Sequence, residues 1–375
     1  MVGYLTSLIT FASVFALFSL GLNVQWGMTG LINFGHVAFM TIGAYATVLL
    51  SSSGVPLVFA MLAGAALAAV LGLAVGASTL RLREDYLAIV TIGVSEVVRL
   101  VALNEEWLTR GARGVASYPL PLEDLDPTWP VRIGAIALWS VIFGFAFKQL
   151  WGWTRGWNRA ERRADEQNKS RPLRRLMVGS ATATAGIILY GAGFASLYDF
   201  NFRAGLMLVA VTTLAIIYGQ LERLGRSPWG RVLKAIREDE EVVKALGKNV
   251  FWYKLQSLML GGAIAGLSGA FYAWQLTFIN PDGFIPLMTF QAWTIVVLGG
   301  AGNNTGTLLG AVIFWAYTTI TRFGLPALLP LLGLPLDDAR LGAFRIMVIG
   351  LVLIVVMMWR PQGVLGRKEE LTLGR

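Results

Sequence analysis

Cysteine is absent from the 375 residues, and histidine occurs once, at His36. The first absence excludes disulfides, thiolate nucleophiles and thiolate metal sites. Charge is scarce too: Asp, Glu, Lys and Arg make up 14% of the chain, against about 25% in an average soluble domain. So few charges cannot cover a water-facing surface. No Walker A sequence, nucleophile elbow or HExxH pattern occurs, so the chain is not expected to bind or hydrolyse ATP, or to be an enzyme. No metal or other cofactor is expected on it. A membrane protein without a catalytic constellation is expected to move a solute.

What is present is apolar sequence in quantity, with 55% hydrophobic residues and a mean hydropathy of +0.62. It falls in long blocks, and about 20 helical residues extend about 30 Å, the thickness of the hydrocarbon core. Only helices or a closed barrel satisfy their backbone in lipid, and the blocks are too long for barrel strands. The apolar runs predict helices at 5–24, 35–50, 57–79, 86–103, 131–151, 176–197, 205–221, 255–276, 288–300, 306–321 and 343–359. The expected fold is all-α, a polytopic transmembrane bundle of about 10–11 segments, some of them discontinuous. Met1–Tyr4 carries no positive charge, so 5–24 reads as a retained first helix.

A net charge of +9 would suggest nucleic acid for a soluble protein. Here the basic residues gather in a few loops, the positive-inside bias of a membrane protein, and no nucleic-acid partner is expected. Arg155–Arg175 holds eight basic and three acidic residues, and 222–254 holds eight and five. The tail after Trp359 adds Arg360, Arg367, Lys368 and Arg375. These segments are expected in the cytoplasm, with the acidic stretch Asn104–Pro130 outside. The C-terminus is then cytoplasmic and, with eleven passes over the runs above, the N-terminus external.

Two glycine-rich stretches interrupt apolar runs: Gly27-Met28-Thr29-Gly30, leading through Asn33 to His36, and Gly299-Gly300-Ala301-Gly302-Asn303-Asn304-Thr305-Gly306. They match at a fixed offset, Gly27 with Gly299, Gly30 with Gly302 and Ala44-Tyr45 with Ala316-Tyr317. Transporters place solute sites at such broken helices in two halves, where freed backbone groups face the solute. Asn33, His36, Tyr45, Glu96, Gln291, Asn303, Asn304 and Thr305 are the candidate substrate-pathway residues. His36 serves equally well to bond a neighbouring helix. Glu96 lies near the midplane of its run, where ionisable groups are functional candidates, yet Arg99 at i+3 can simply neutralise it. The spacings Gly72-xxx-Gly76 and Gly262-xxx-Gly266 suit close helix packing.

The segment Arg226–Gly247 is built as short amphipathic helices. Ser227 suits an N-cap, Pro228 the first helical position, Asp239–Glu241 the start of a second helix and Gly247 its stop. Val232, Leu233 and Ile236 make one apolar face, and Val242, Val243 and Leu246 another. The five acidic residues of 222–254 sit badly beside anionic lipid, so a protein partner is the better occupant.

Glu241, Ala245, Leu246 and Gly247 resemble the cytoplasmic coupling loop of ABC importer permeases. More closely, Gly30 to Phe39 with Gly43-Ala44-Tyr45, Leu80 to Thr91, Ala235 to Gly247, Val297 to Gly302 and Arg360-Pro361-Gln362-Gly363 resemble the LivM-type permeases of branched-chain and neutral amino-acid importers. A related branch serves urea and short amides. The resemblance implies a single permease domain over 1–375, with an inserted basic loop at 155–175 and the coupling loop at 222–254. It implies a homologous second permease subunit, two cytoplasmic ATPase subunits that hydrolyse ATP, an external or periplasmic solute-binding protein, and residence in a bacterial-type inner membrane. Trp229, Ile236, Glu240, Glu241, Val243, Ala245, Leu246 and Gly247 then become the candidate ATPase-coupling residues. Two departures from the family pattern are the extra hairpin around 155–175 and the polar run Asn303-Asn304-Thr305. Urea or amide uptake is the alternative within the family. A proton-coupled carrier using Glu96 and His36 is the alternative outside it, one that would not need the coupling loop.

Overall fold

The computed structural model describes residues 2–81, 84–123, 127–164, 186–328, 338–359 and 363–365. In chain order the helices are α1 (Val2–Leu22), α2 (Val37–Ser52), α3 (Leu57–Thr79), α4 (Glu84–Asn104), the short α5 (Glu106–Thr109), α6 (Trp129–Ala164) and α7 (Gly186–Tyr198). They continue with α8 (Phe202–Arg226), α9 (Pro228–Glu238), α10 (Glu240–Ala245), α11 (Val250–Leu276), α12 (Leu287–Gly299), α13 (Asn304–Leu328) and α14 (Asp338–Trp359). Among the described residues the one sheet is a two-residue antiparallel pair, β1 (Val115–Ala116) with β2 (Phe278–Ile279).

Seven of the described helical segments are long and apolar enough to cross a membrane, and α2 and α7 are shorter apolar helices. Large apolar side chains such as Val58, Phe59 and Leu62 on α3 and Ile89 and Val97 on α4 point outward. Outward apolar faces on helices of this length belong in lipid. The chain is a multi-pass integral membrane protein.

The backbone divides into two compact units. The first comprises Met1–Thr10 and Pro121–Ala215. Its core joins Ile9 of α1, Trp139 of α6, Leu197 of α7 and Met207 of α8. The apolar run expected at 131–151 belongs to a longer helix here. The 36 residues of α6 extend about 54 Å, well past a hydrocarbon core of about 30 Å. The backbone of 155–164 therefore continues the helix instead of opening the expected basic loop, and 165–175 lies outside the described residues.

The second unit comprises Phe11–Leu120 and Ile216–Arg375, and α2, α3 and α11 pack together at its centre. Small residues let these helices approach at backbone distance, which compensates in lipid for the missing hydrophobic drive between helices. A Cβ on Gly43 would strike the backbone of Gly266, and one on Gly72 would fall 3.1 Å from the Leu258 oxygen and the Met259 Cα. The predicted Gly-xxx-Gly spacings thus mark the α3–α11 contact. Helices α12 and α13 form a hairpin of the same kind, Gly299 against Gly306 and Gly310 against the Ile295 carbonyl.

Candidate functional site

The first interruption is a change of helix type. The helix expected at 5–24 starts at Val2, and past Leu22 it widens into a π-helical turn, Asn23–Met28. Residues 29–36 then cross the interior without regular structure, and Thr29, Leu31, Asn33 and His36 on this stretch are buried. Irregular backbone at such depth survives only if its polar groups find partners. Gly30 and Leu31 donate to the Trp26 and Gln25 carbonyls, both at 2.9 Å. Asn33 donates to Gln25 Oε1 at 2.8 Å and accepts from the Gly35 amide at 2.9 Å. Gln25 in turn donates to the Leu258 carbonyl of α11 at 3.1 Å.

The second interruption follows α12. Gly300 and Gly302 hold φ of +110° and +80°, values open to glycine and costly for other residues. The orphan carbonyls at the end of α12 are taken by the chain beyond α14: Val364 donates to Leu298 at 2.9 Å and Leu365 to Gly299 at 3.0 Å. Asn303 donates to the Leu365 carbonyl at 3.0 Å and accepts from the Gly306 amide at 3.1 Å, opening α13. Asn304 accepts from Asn23 at 3.0 Å, and Thr305 shares a 2.8 Å bond with the Tyr218 hydroxyl of α8.

The two interruptions meet. Asn23 Oδ1 accepts from the Gly302 amide at 2.9 Å, and a Cβ on Gly302 would lie 2.7 Å from the Gly27 oxygen. Gly27 and Gly299 match along the sequence offset, and in space Gly27 lies against Gly302. Of the residues expected along a solute path, Asn33 and Asn303 bond irregular backbone, while Asn304 bonds the Asn23 side chain and Thr305 the Tyr218 hydroxyl.

The remaining pathway candidates lie apart from that junction in their bonding. His36 is 0% exposed, bonds the Phe18 carbonyl through Nε2 at 3.0 Å and lies against the Phe18 ring. Tyr45 is buried against Phe284 and its hydroxyl has no partner among the described residues. Gln291 is half-buried on α12. Glu96 accepts two bonds from Arg99, at 2.9 and 2.5 Å, as the spacing suggested. Arg99 also reaches Asp282 at 3.3 Å, in the turn between β2 and α12, a third member that local spacing could not indicate.

The segment after α8 folds as expected from its caps. Ser227 Oγ accepts from the Gly230 amide at 3.4 Å with Pro228 in the first turn. Asp239 caps α10, accepting from Glu241 and Val242 at 2.9 and 3.1 Å, and Gly247 ends it at φ +74°. Trp229 donates to Gln256 of α11 at 2.8 Å. Glu240 pairs with the buried Lys254 of α11 and, at 3.1 Å, with Lys244. Partial burial pushes the Glu240 carboxyl up, but the bonds from the two lysines outweigh it and hold it below the usual carboxylate range.

One expectation fails here. Ile236 and Val243 were expected to face a partner, and both are buried at 4% exposure. Each lies on the side of its short helix that packs against the chain's own helices. The outward residues are Glu241, Val242, Ala245, Leu246 and Gly247, with Leu246 at 74%. Two residues were missed. Asn23 was legible as a polar residue in an apolar run. Arg237, four residues after the buried Leu233 and so on the same helix face, donates through Nη1 to the Gly27 carbonyl at 2.5 Å.

The family described as branched-chain amino acid transport system, permease component, matches residues 4–357. The high-affinity branched-chain amino acid permease LivM of Escherichia coli K12 is 28% identical over 95% of this chain and 68% of its own length. The probable LivM of Methanocaldococcus jannaschii is 23% identical over 94% of this chain and 91% of its own. The LivH permease of Salmonella typhimurium is 29% identical over 38% of this chain and 41% of its own. No solved structure matches at comparable stringency.

Proposed function

The chain belongs to the family of branched-chain amino acid transport permease components, and on that footing we propose that it is the membrane-spanning permease subunit of an ATP-driven importer of branched-chain amino acids. The observation that carries the mechanism is the capped pair α9–α10. It is anchored to the chain by Trp229, Ile236, Glu240 and Val243, and it presents Val242, Ala245 and Leu246 outward. An anchored helix pair with an exposed apolar tip is a docking element, and an ATPase subunit is its proposed occupant. ATP hydrolysis resides in two such cytoplasmic subunits. A second, homologous permease and an external solute-binding protein complete the importer. The partial likeness to a LivH permease supports the homology of the two membrane subunits.

In this reading 1–375 is one permease domain, with α9–α10 and the C-terminus cytoplasmic. Arg237 meets the far end of α1, so the N-terminus is external. The buried polar groups of the two interruptions hold irregular backbone inside the protein, where one set of bonds can be exchanged for another during a transport cycle. Proton relay has little support, because His36 bonds the Phe18 carbonyl and Glu96 bonds Arg99, with no bond linking the two.

Proteoliposomes holding the chain with its second permease, ATPases and binding protein test the reading. Leucine, isoleucine and valine uptake should require ATP, and urea should not be carried. Urea uptake would move the substrate to the amide branch. Uptake by this chain alone under a proton gradient would overturn the ATP-driven reading.

A further inference from the structure

The proposed docking helix does more than present a surface. Arg237 is the penultimate residue of α9, and its guanidinium reaches the Gly27 carbonyl at 2.5 Å. Neighbouring carbonyls of that turn are already occupied: Val24 accepts from the Thr29 hydroxyl at 3.1 Å, and Gln25 and Trp26 accept from Leu31 and Gly30. Gly27 thus exposes a carbonyl at the negative end of a helix, and a cation is the favoured partner there. A bond from a guanidinium is charge-assisted and stronger than an amide's.

The same nitrogen also touches the second interruption. A Cβ on Gly302 would lie 2.7 Å from Arg237 Nη1 and 2.7 Å from the Gly27 oxygen. Gly30, at the other side of the π turn, packs on the Arg237 stem, with a Cβ position 3.6 Å from its Cγ. Two pieces of backbone far apart in sequence, the end of the first broken helix and the turn of the second, therefore converge on one side chain of the cytoplasmic helix α9.

We propose that Arg237 is the positioning residue that couples α9 to both broken helices, so that movement of α9 is delivered to the Gly27–Gly302 junction. This rests on the permease reading above and deepens it. An α9 that shifts with Arg237 in place carries the Gly27 carbonyl and the Gly302 turn with it. Without the guanidinium, α9 keeps Leu233, Ile236 and Trp229 as anchors and stays docked, but it loses its grip on the junction. The expected signature is uncoupling: ATP is still hydrolysed and less solute crosses per ATP.

The test uses the full complex in proteoliposomes, reading leucine uptake and ATP hydrolysis together. Arg237→Met should keep ATPase co-purification and lower the uptake-to-ATP ratio by about tenfold, within the range that coupling residues carry. Arg237→Lys, which keeps a donor cation, should restore part of the ratio. Gly302→Ala, whose methyl would displace the guanidinium, should lower the ratio with the arginine still present. Arg203→Met, exposed at the start of α8 and outside the docking pair, should leave it unchanged. A wild-type ratio in Arg237→Met, or an equal fall of uptake and hydrolysis, would overturn the proposal. If Arg237→Met does not assemble, a wild-type ratio in Gly302→Ala overturns it. A wild-type complex without ATP-driven uptake would instead overturn the permease reading, and the coupling role with it.

Discussion

Lys254 is 8% exposed, and its ammonium faces the Glu240 carboxylate of α10. Removing one partner of a buried pair leaves the other charge uncompensated, which costs about 3 kcal/mol or more, while replacing both is often close to neutral. Glu240→Gln is therefore expected to lower the melting temperature of the detergent-purified chain, and Glu240→Gln with Lys254→Met to recover most of the loss. A double variant as unstable as the single one would show that the pair does not act as a unit. The same carboxylate predicts a pH effect. Its affinity for protons is lowered in the fold, so its contribution is present above the ordinary Glu value of about 4.3 and is lost as the pH falls below it. The stability gap between wild type and Glu240→Gln should hold from pH 7 to about pH 5 and narrow below pH 4. A gap that widens on acidification would contradict the assignment.

At the scale of elements, α9 and α10 separate residues that the sequence pattern grouped together. Val242, Val243 and Leu246 form one apolar face by spacing, yet Val243 is 4% exposed and Leu246 is 74% exposed. Burying a carboxylate at 243 without a partner costs about 3 kcal/mol, so Val243→Asp should destabilise the protein itself. Leu246→Asp should leave the melting temperature unchanged and lower ATPase co-purification, because truncated interface anchors cost about 1–3 kcal/mol of binding. Equal stability losses in the two variants would mean that Leu246 is covered within the chain. The capping of these helices was legible from sequence, with Ser227, Asp239 and Gly247 in the roles their chemistry suits. Which side faced the protein was not, because a helix of six residues carries too few turns for its pattern to name a partner.

For the whole molecule, orientation rests on the distribution of Lys and Arg, and the absence of cysteine makes it measurable. Trp107 lies between α4 and β1, and Lys248 follows α10; both are exposed. In intact cells Trp107→Cys should react with an impermeant thiol reagent and Lys248→Cys should not until the membrane is opened. The reverse pattern would invert the topology and remove the docking role from α9–α10.

The sequence by itself determined the helical class, most helix positions, the small-residue faces of α3 and α11, and the family. These depend on local quantities: block length, spacing along one helix, and short motifs. Tertiary structure alone decided what the polar residues at the interruptions do. Asn23 bonds Asn304 across 281 positions, and Arg237 bonds Gly27 across 210. A polar residue in an apolar run announces that it needs a partner, since unsatisfied groups are costly in lipid. Where that partner lies depends on which helices meet, and no local pattern encodes it. That is why the spacing of Asn303, Asn304 and Thr305 could not show their partners, which are Leu365 and Gly306 backbone, Asn23 and Tyr218. It is also why Arg237, one basic residue among eight in its segment, became distinct only once α9 lay against the π-helical end of α1.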